Sequence, residues 1–135
     1  MENSKFQFKG FNIIRSLIEK KDARPAQKMS LSFNPRGLIN KDESNFQLQL
    51  SVKIGDENNV INIEIEAVAN YSFDQQIGVE TLDKLFYVNA PALLFPYIRA
   101  YISTLTNLSG FEPVNLPTLN MTKLGSDLKK NTKEA

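Results

Sequence analysis

The side chains that most often carry chemistry at neutral pH are missing from this 135-residue chain. It has no histidine and no cysteine, which removes the usual general base, imidazole and thiolate metal ligands, cysteine nucleophiles and disulfides. The sequence contains no glycine-rich phosphate loop, so nucleotide-driven work is not indicated. Lysine and carboxylate side chains remain, but their spacing points to no paired acid and base. The sequence therefore predicts a protein that is not an enzyme and that uses no metal or cofactor.

The overall composition is that of an ordinary globular protein with nearly balanced charge. Hydrophobic residues make up 41% and charged residues 23%, and sixteen basic residues against fifteen acidic ones give a net charge of +1. This balance gives no reason to expect nucleic acid or an anionic membrane as a partner. The longest apolar run, residues 90–98, is about half as long as a membrane-spanning helix, and the first ten residues lack the apolar core of a signal peptide. We therefore expect a cytoplasmic protein without membrane insertion, with residues 1–130 as one domain and 131–135 as a disordered tail.

Three segments alternate apolar and polar side chains, which is typical of strands in a half-buried antiparallel sheet. They lie at residues 29–33, 46–54 and 61–73. Turn-forming residues at 55–59 join the last two segments and predict a hairpin. Residues 34–37 (NPRG) predict a turn or a bulged excursion. Residues 6–20 fit two patterns equally, a strand with a bulge at Gly10 or a helix with one apolar face.

A long helix with an unusually wide apolar surface is predicted to follow the strands. Residues 81–88 form a short amphipathic turn that ends at Asn89, a suitable N-cap for a helix over residues 90–109. Pro96 should bend this helix, and Gly110 should stop it. Its apolar side chains cover more than the ~100° stripe that packing on one sheet requires, so the second face calls for another copy of the chain. We expect that interface at Leu94, Tyr97, Ile98, Tyr101 and Leu105.

The segment after Gly110 is too rich in proline for a helix and too apolar for a solvated loop. Met121, Leu124 and Leu128 then favour a short amphipathic C-terminal helix, which Gly125 weakens.

Two motifs in this region resemble the SecB family of export chaperones. Residues 89–99 (NAPALLFPYIR) resemble the start of that family's main helix, and residues 110–120 (GFEPVNLPTLN) resemble its crossover loop. The motifs stand in the family's order and spacing, and the resemblance spans residues 6–130. It implies an α+β fold, in which a four-stranded antiparallel sheet in Greek-key order carries the long helix and the short C-terminal helix on one face. It also implies that residues 6–20 form a strand and that the chain assembles as a dimer of dimers.

The resemblance further implies an ATP-independent holdase that binds unfolded or precursor polypeptides and keeps them competent for export. Clients would enter a groove between the crossover loop, the second helix and neighbouring strands. Its expected lining is apolar: Phe33, Phe111, Val114, Leu116, Leu119, Met121 and Leu124. The apolar residues between 111 and 124 would equally suit a simple cover over the sheet, and the pattern leaves both interpretations open.

Glu64 and Glu66 lie on the polar side of the strand predicted at 61–73. The resemblance implies that this face docks the export motor SecA. The chain is nearly neutral, however, whereas export chaperones of the family are usually acidic. That departure favours, as an alternative, a chaperone dedicated to one partner such as the antitoxin of a toxin–antitoxin pair. A domain that binds a small hydrophobic ligand in the apolar cleft is a further alternative from another class.

Overall fold

The computed structural model describes residues 6–24, 28–112, 114, 116 and 120–135. Within these residues an antiparallel sheet carries helices on one face, so that the apolar sides of both form a common core. The elements in chain order are β1 (Phe6–Lys20), β2 (Met29–Asn40), β3 (Asn45–Asp56), β4 (Ile61–Phe73), α1 (Val79–Lys84), a π-helical turn (Leu85–Asn89), α2 (Ala90–Leu108), α3 (Met121–Lys130) and β5 (Thr132–Glu134).

The sheet has the strand order β1-β4-β3-β2-β5, and its first four strands pair antiparallel. This is the predicted Greek-key order, because the consecutive strands β2, β3 and β4 are neighbours while β1 returns to lie beside β4. The alternation seen in the sequence explains why one face of this sheet is buried. Every second residue of β4, from Ile61 to Phe73, is buried against the helices, and the residues between them lie on the outer face.

Residues 6–20, which fitted both a strand and a helix, form β1. The pairing with β4 shifts register between Phe8 and Phe11, where Gly10 adopts a φ of 110° that favours glycine. The bulge proposed at Gly10 is therefore confirmed. A second register shift lies between Ile13 and Arg15 and leaves Ile14 63% exposed.

The turn or bulged excursion predicted at residues 34–37 was wrong. β2 pairs with β3 without interruption from Met29 to Asn40, and Pro35 lies inside this strand. The reason is that, within the described residues, β2 has a neighbouring strand on one side only at Pro35, because β5 pairs only with Gly37–Ile39. Proline is tolerated in a strand when its missing N–H points away from the neighbouring strand.

The disordered tail predicted for residues 131–135 was also wrong. Thr132–Glu134 form β5, which pairs parallel with Gly37–Ile39 of β2. The Ala135 N–H donates to the Ile39 carbonyl at 2.8 Å, and Lys41 forms an ion pair with Glu134 at 3.1 Å. The tail is ordered because the edge of β2 offers it backbone partners.

The long helix differs from its prediction at its start. Asn89 does not cap it: its backbone is helical, and its side chain makes no capping hydrogen bond. Instead, α1, the π-helical turn and α2 follow one another directly, and the turn carries the buried Phe86. At the other end Gly110 adopts a φ of 85° just beyond α2, as a helix-terminating glycine does.

Gly125 does not merely weaken α3, because its missing side chain allows a close approach. It is buried, and a Cβ atom at this position would overlap the backbone carbonyl oxygen of Tyr87. At the start of α3, the Asn120 side chain accepts a hydrogen bond from the Lys123 N–H at 3.2 Å. The helix is thus capped and held tightly against the π-helical turn.

Candidate binding groove and outward helix face

A cavity of about 350 Å³ lies between β2 and α3, and we refer to it as the β2–α3 groove. Side chains of both elements line it: Leu31, Ser32 and Phe33 from β2, Lys123, Leu124 and Asp127 from α3, and Asn120 that caps α3. The apolar members lie towards the core, and the polar members come mainly from α3. This composition suits an extended peptide, whose side chains alternate between apolar and polar surroundings.

Phe33 and Leu124 are the two predicted groove residues that line this cavity. Phe33 is half-buried and packs edge-on against Phe95 of α2, with 5.9 Å between ring centroids. The Arg99 guanidinium lies 4.9 Å from the centroid of the Phe95 ring. Leu124 is buried, with 6% of its surface exposed. The groove therefore has one partly open aromatic wall and a floor shared with the core.

The other predicted groove residues are more dispersed. Met121 and Val114 are half-buried against the core, and Leu116 is buried in it. Phe111 lies near the end of β1, where the Lys20 ammonium is 5.6 Å from its ring centroid. Leu119 lies outside the described residues. Leu116 therefore fits the interpretation of this segment as a cover over the sheet. The half-buried residues retain accessible surface and fit the interpretation as a groove lining.

A buried threonine that the sequence reasoning missed anchors the crossover segment. The Thr106 side chain accepts a hydrogen bond from the Val114 N–H at 2.9 Å. Its hydroxyl lies 2.9 Å from the Ile102 carbonyl, to which it donates, and 3.1 Å from the Ser103 carbonyl. The sequence signal was a polar residue four positions after Ile102 on the buried stripe of α2. Leu31 also lines the groove and was missed. Its sequence signal was its position two residues before Phe33, on the same side of the strand.

The predicted interface on α2 splits into two sets. Leu94 and Ile98 are fully buried against the sheet of their own chain, so placing them at an interface with another copy was wrong. Tyr101 and Leu105 are half-buried, and Tyr97 is 49% exposed beside Phe8 and Phe11. Leu93 and Leu108 extend the same row, with 42% and 80% of their surfaces exposed. This outward face of α2, running from Leu93 to Leu108, is only partly covered by the described part of its own chain.

The two glutamates of β4 lie on the outer face of the sheet among basic residues. Arg15 of β1 forms an ion pair with Glu64 at 2.7 Å, and this hydrogen bond lowers the pKa of Glu64 below its ordinary value. Glu66 is the register partner of Arg15 and lines an outer cavity together with Arg36 and Lys53. The face therefore carries mixed charge.

A further cavity of about 480 Å³ lies near the other end of α3, beside α1 and β5. Its walls include Ile39, Phe73, Leu82 and Phe86, while Lys41, Asp83 and Glu134 contribute charged side chains. Among the residues that the structure describes, no cluster of three or more acidic side chains is arranged to hold a metal ion. In the same part of the chain, no helix combines the length and apolar character needed to cross a membrane.

A Greek-key antiparallel sheet with a long and a short helix on one face defines the SecB-like class of fold. The family described as preprotein translocase subunit SecB matches residues 9–131 of this chain. The chain therefore belongs to the SecB family.

Individual relatives agree with this assignment. The protein-export protein SecB of Bartonella bacilliformis is 33% identical over 97 residues, which cover 71% of this chain and 58% of that protein. The chain thus spans little more than half the length of that relative. The SecB of Roseobacter denitrificans is 26% identical over 116 residues, covering 84% of this chain and 69% of that protein.

One solved structure has the same fold. It is that of the Mycobacterium tuberculosis SecB-like chaperone Rv1957 in complex with a ChAD peptide from the Rv1956 HigA1 antitoxin. It superposes with a TM-score of 0.71 at 23% identity, covering 86% of this chain and 88% of that one.

Proposed function

We propose that this protein is a cytoplasmic, ATP-independent holdase that binds unfolded or precursor polypeptides and keeps them competent for export. The observation that carries the proposal is the β2–α3 groove in a chain of the SecB family. Leu31 and Phe33 are half-buried there, so a client can cover apolar surface that the fold itself leaves accessible.

The expected affinity of a single groove for a client is modest. Burial of one client leucine or phenylalanine side chain contributes about 1.5–3 kcal/mol before the entropy of ordering the client is subtracted. Several grooves on one assembly, engaged by one long chain, raise the overall affinity without nucleotide hydrolysis. Preferential binding of the unfolded state then withdraws it from folding and aggregation.

The outward face of α2 supports assembly, for which we propose a dimer of dimers. Tyr97, Leu93 and Leu108 are apolar or aromatic and exposed in the single chain. They lie at helical spacing on one side of α2, so a second helix can cover them together. Assembly would bring several grooves onto one particle.

The test is dilution of several unrelated denatured proteins into buffer that holds stoichiometric chaperone and no nucleotide. We expect slower refolding and less light scattering for each of them. Leu31→Ser, which makes the groove more polar, should weaken this protection. Leu38→Ser is the matched control, because Leu38 lies on the same strand but outside the groove, and it should keep full protection. Absence of protection for every client would contradict the proposal.

A chaperone dedicated to one partner is the second candidate, and the Arg15–Glu64 ion pair favours it. The positive charge of Arg15 offsets the negative charge of Glu64 and so weakens the acidic face at which SecA docking is expected. The structural relative is itself in complex with a peptide from an antitoxin.

Two measurements separate general export from a dedicated role. Identification of proteins trapped on the chaperone in its own cells should give many precursors for an export chaperone and one dominant protein for a dedicated one. SecA affinity is the second measurement: if SecA docks on the outer face, Arg15→Ala should strengthen binding, and Glu66→Gln should weaken it.

A further inference from the structure

The groove has an unusual wall, because one side of it is the edge of the sheet. β2 pairs with β3 along its whole length. On its other side β5 covers only Gly37–Ile39. In the described part of the chain no strand pairs with β2 on that side between Met29 and Arg36. Exposed strand edges readily accept another extended chain and are usually protected in native proteins.

The hydrogen bonds at β5 identify which backbone groups face this open edge. Gly37 donates its N–H to the Asn131 carbonyl at 3.2 Å, and the Ile39 carbonyl accepts from the Ala135 N–H at 2.8 Å. The Pro35 carbonyl accepts from the Asn131 side-chain amide at 3.3 Å. These are all odd-numbered residues of β2, and they face away from β3.

The same parity holds for the part of β2 that lines the groove. Backbone groups alternate sides along a strand, and the β2–β3 register runs from Met29 to Asn40 without a shift. Leu31 and Phe33 therefore turn their N–H and C=O groups towards the open edge, and both residues line the 350 Å³ cavity beneath α3. The groove thus offers backbone donors and acceptors as well as apolar side chains.

We propose that a client binds by strand addition: an extended segment hydrogen-bonds to the backbone of Leu31 and Phe33 and continues the ladder that β5 begins. This inference rests on the proposed holdase function and specifies its binding mode. The β2–β5 ladder is its direct support, since a short segment of polypeptide already occupies the same edge. The proposed strand is continuous with that established pairing.

Strand addition also defines the chemistry of the client. Backbone hydrogen bonds do not depend on sequence, so many clients can use them. Alternate client side chains would face Leu124 and the core, while the side chains between them would face solvent. The preferred segment is therefore an extended stretch in which every second residue is apolar.

Peptides with methylated backbone nitrogens test the binding mode directly. The probe is a fluorescent peptide of about ten residues with alternating leucine and serine, methylated on the nitrogens of either the odd or the even residues. In an added strand one parity donates to β2, while the other faces away. A slip of one residue would turn the apolar side chains outward, so the two parities cannot exchange roles. By fluorescence anisotropy we expect one methylated form to bind about tenfold or more weakly, and the other to bind like the parent peptide.

A matched pair of chain variants provides the second test. Phe33→Pro removes the N–H that faces the open edge and leaves the β3 ladder intact, as Pro35 already does two residues later. Phe33→Ala removes the side chain only. We expect Phe33→Pro to bind the unmethylated peptide several-fold more weakly than Phe33→Ala. Circular dichroism checks that each variant folds; if Phe33→Pro does not, the peptide pair decides.

The outcomes of these experiments test strand addition separately from the proposed holdase function. Equal loss of affinity for both methylated peptides, while the native chain still protects denatured proteins, would overturn strand addition and leave the holdase intact. Failure of the native chain to bind the unmethylated peptide or to protect any denatured protein would overturn both. Loss confined to one parity supports the proposal.

Discussion

The close contact between Gly125 of α3 and Tyr87 of the π-helical turn predicts the sign of the stability change caused by Gly125→Ala. Replacing glycine by alanine inside a helix normally stabilises it by about 1 kcal/mol. At Gly125 the new Cβ would overlap the Tyr87 carbonyl oxygen. Because that atom belongs to the backbone, it cannot turn aside as a flexible side chain would.

The overlap should outweigh the gain in helix propensity. Overpacking a closely packed site costs about 1–3 kcal/mol, and shifting α3 would also loosen the buried Leu124 and Leu128 on the same side of the helix. After subtraction of the propensity gain, we expect Gly125→Ala to lower the free energy of unfolding by up to about 2 kcal/mol. Since α3 forms one wall of the β2–α3 groove, the affinity for the proposed clients should fall as well.

Urea unfolding followed by circular dichroism measures the effect, and Ser126→Ala is the matched control. Ser126 is the next residue in the same helix and is exposed, so its replacement should raise stability by a few tenths of a kcal/mol. If Gly125→Ala proves as stable as the parent, or more stable by the usual propensity gain, then α3 does not approach the π-helical turn as described.

Three further predictions follow from single side chains. Thr106→Val should destabilise the fold by about 1–3 kcal/mol in urea, because the partly buried Val114 N–H loses its acceptor; Thr106→Ser should retain most of the stability. Tyr97→Asp on the outward face of α2 should dissociate the proposed assembly in sedimentation velocity while each subunit stays folded, since Tyr97 is exposed in the single chain; an unchanged sedimentation coefficient would show that this face is not the interface. Burial raises the pKa of Tyr71 well above its ordinary value of 10, so the folded state holds this proton more tightly than the unfolded state. Stability should therefore fall above pH 10 by up to about 1.4 kcal/mol per pH unit, and Tyr71→Phe should show a shallower fall in urea titrations at pH 10–11.

The sequence predicted the sheet well wherever a single local pattern decided the structure. Strands β3 and β4 alternate apolar and polar residues along most of their length, with Val68 as the exception, and the turn-forming residues between them indicate the hairpin. Gly10 and Gly110 were recognised because only glycine readily adopts a positive φ. In each case the determining interaction lies within a few residues along the chain.

The interpretation of residues 6–20 needed more than periodicity. Their apolar residues match a strand and a helix equally, and the resemblance of residues 89–99 and 110–120 to the SecB family favoured the strand. The register shift at Gly10 explains the ambiguity, because a bulge displaces the alternation by one residue.

The sequence alone therefore determined strands β3 and β4, the apolar excess of α2 and the absence of histidine and cysteine chemistry, since these depend on composition and short-range spacing, whereas the class of fold came from the resemblance to the SecB family. Only the tertiary structure decided that Pro35 is tolerated at an open edge, that β5 orders on that edge, and that Gly125 is required for close packing. It also separated Leu94 and Ile98, which face the sheet, from Tyr97, which faces outward. Each of these depends on which element lies across from a residue, and residues far apart in the chain supply that element.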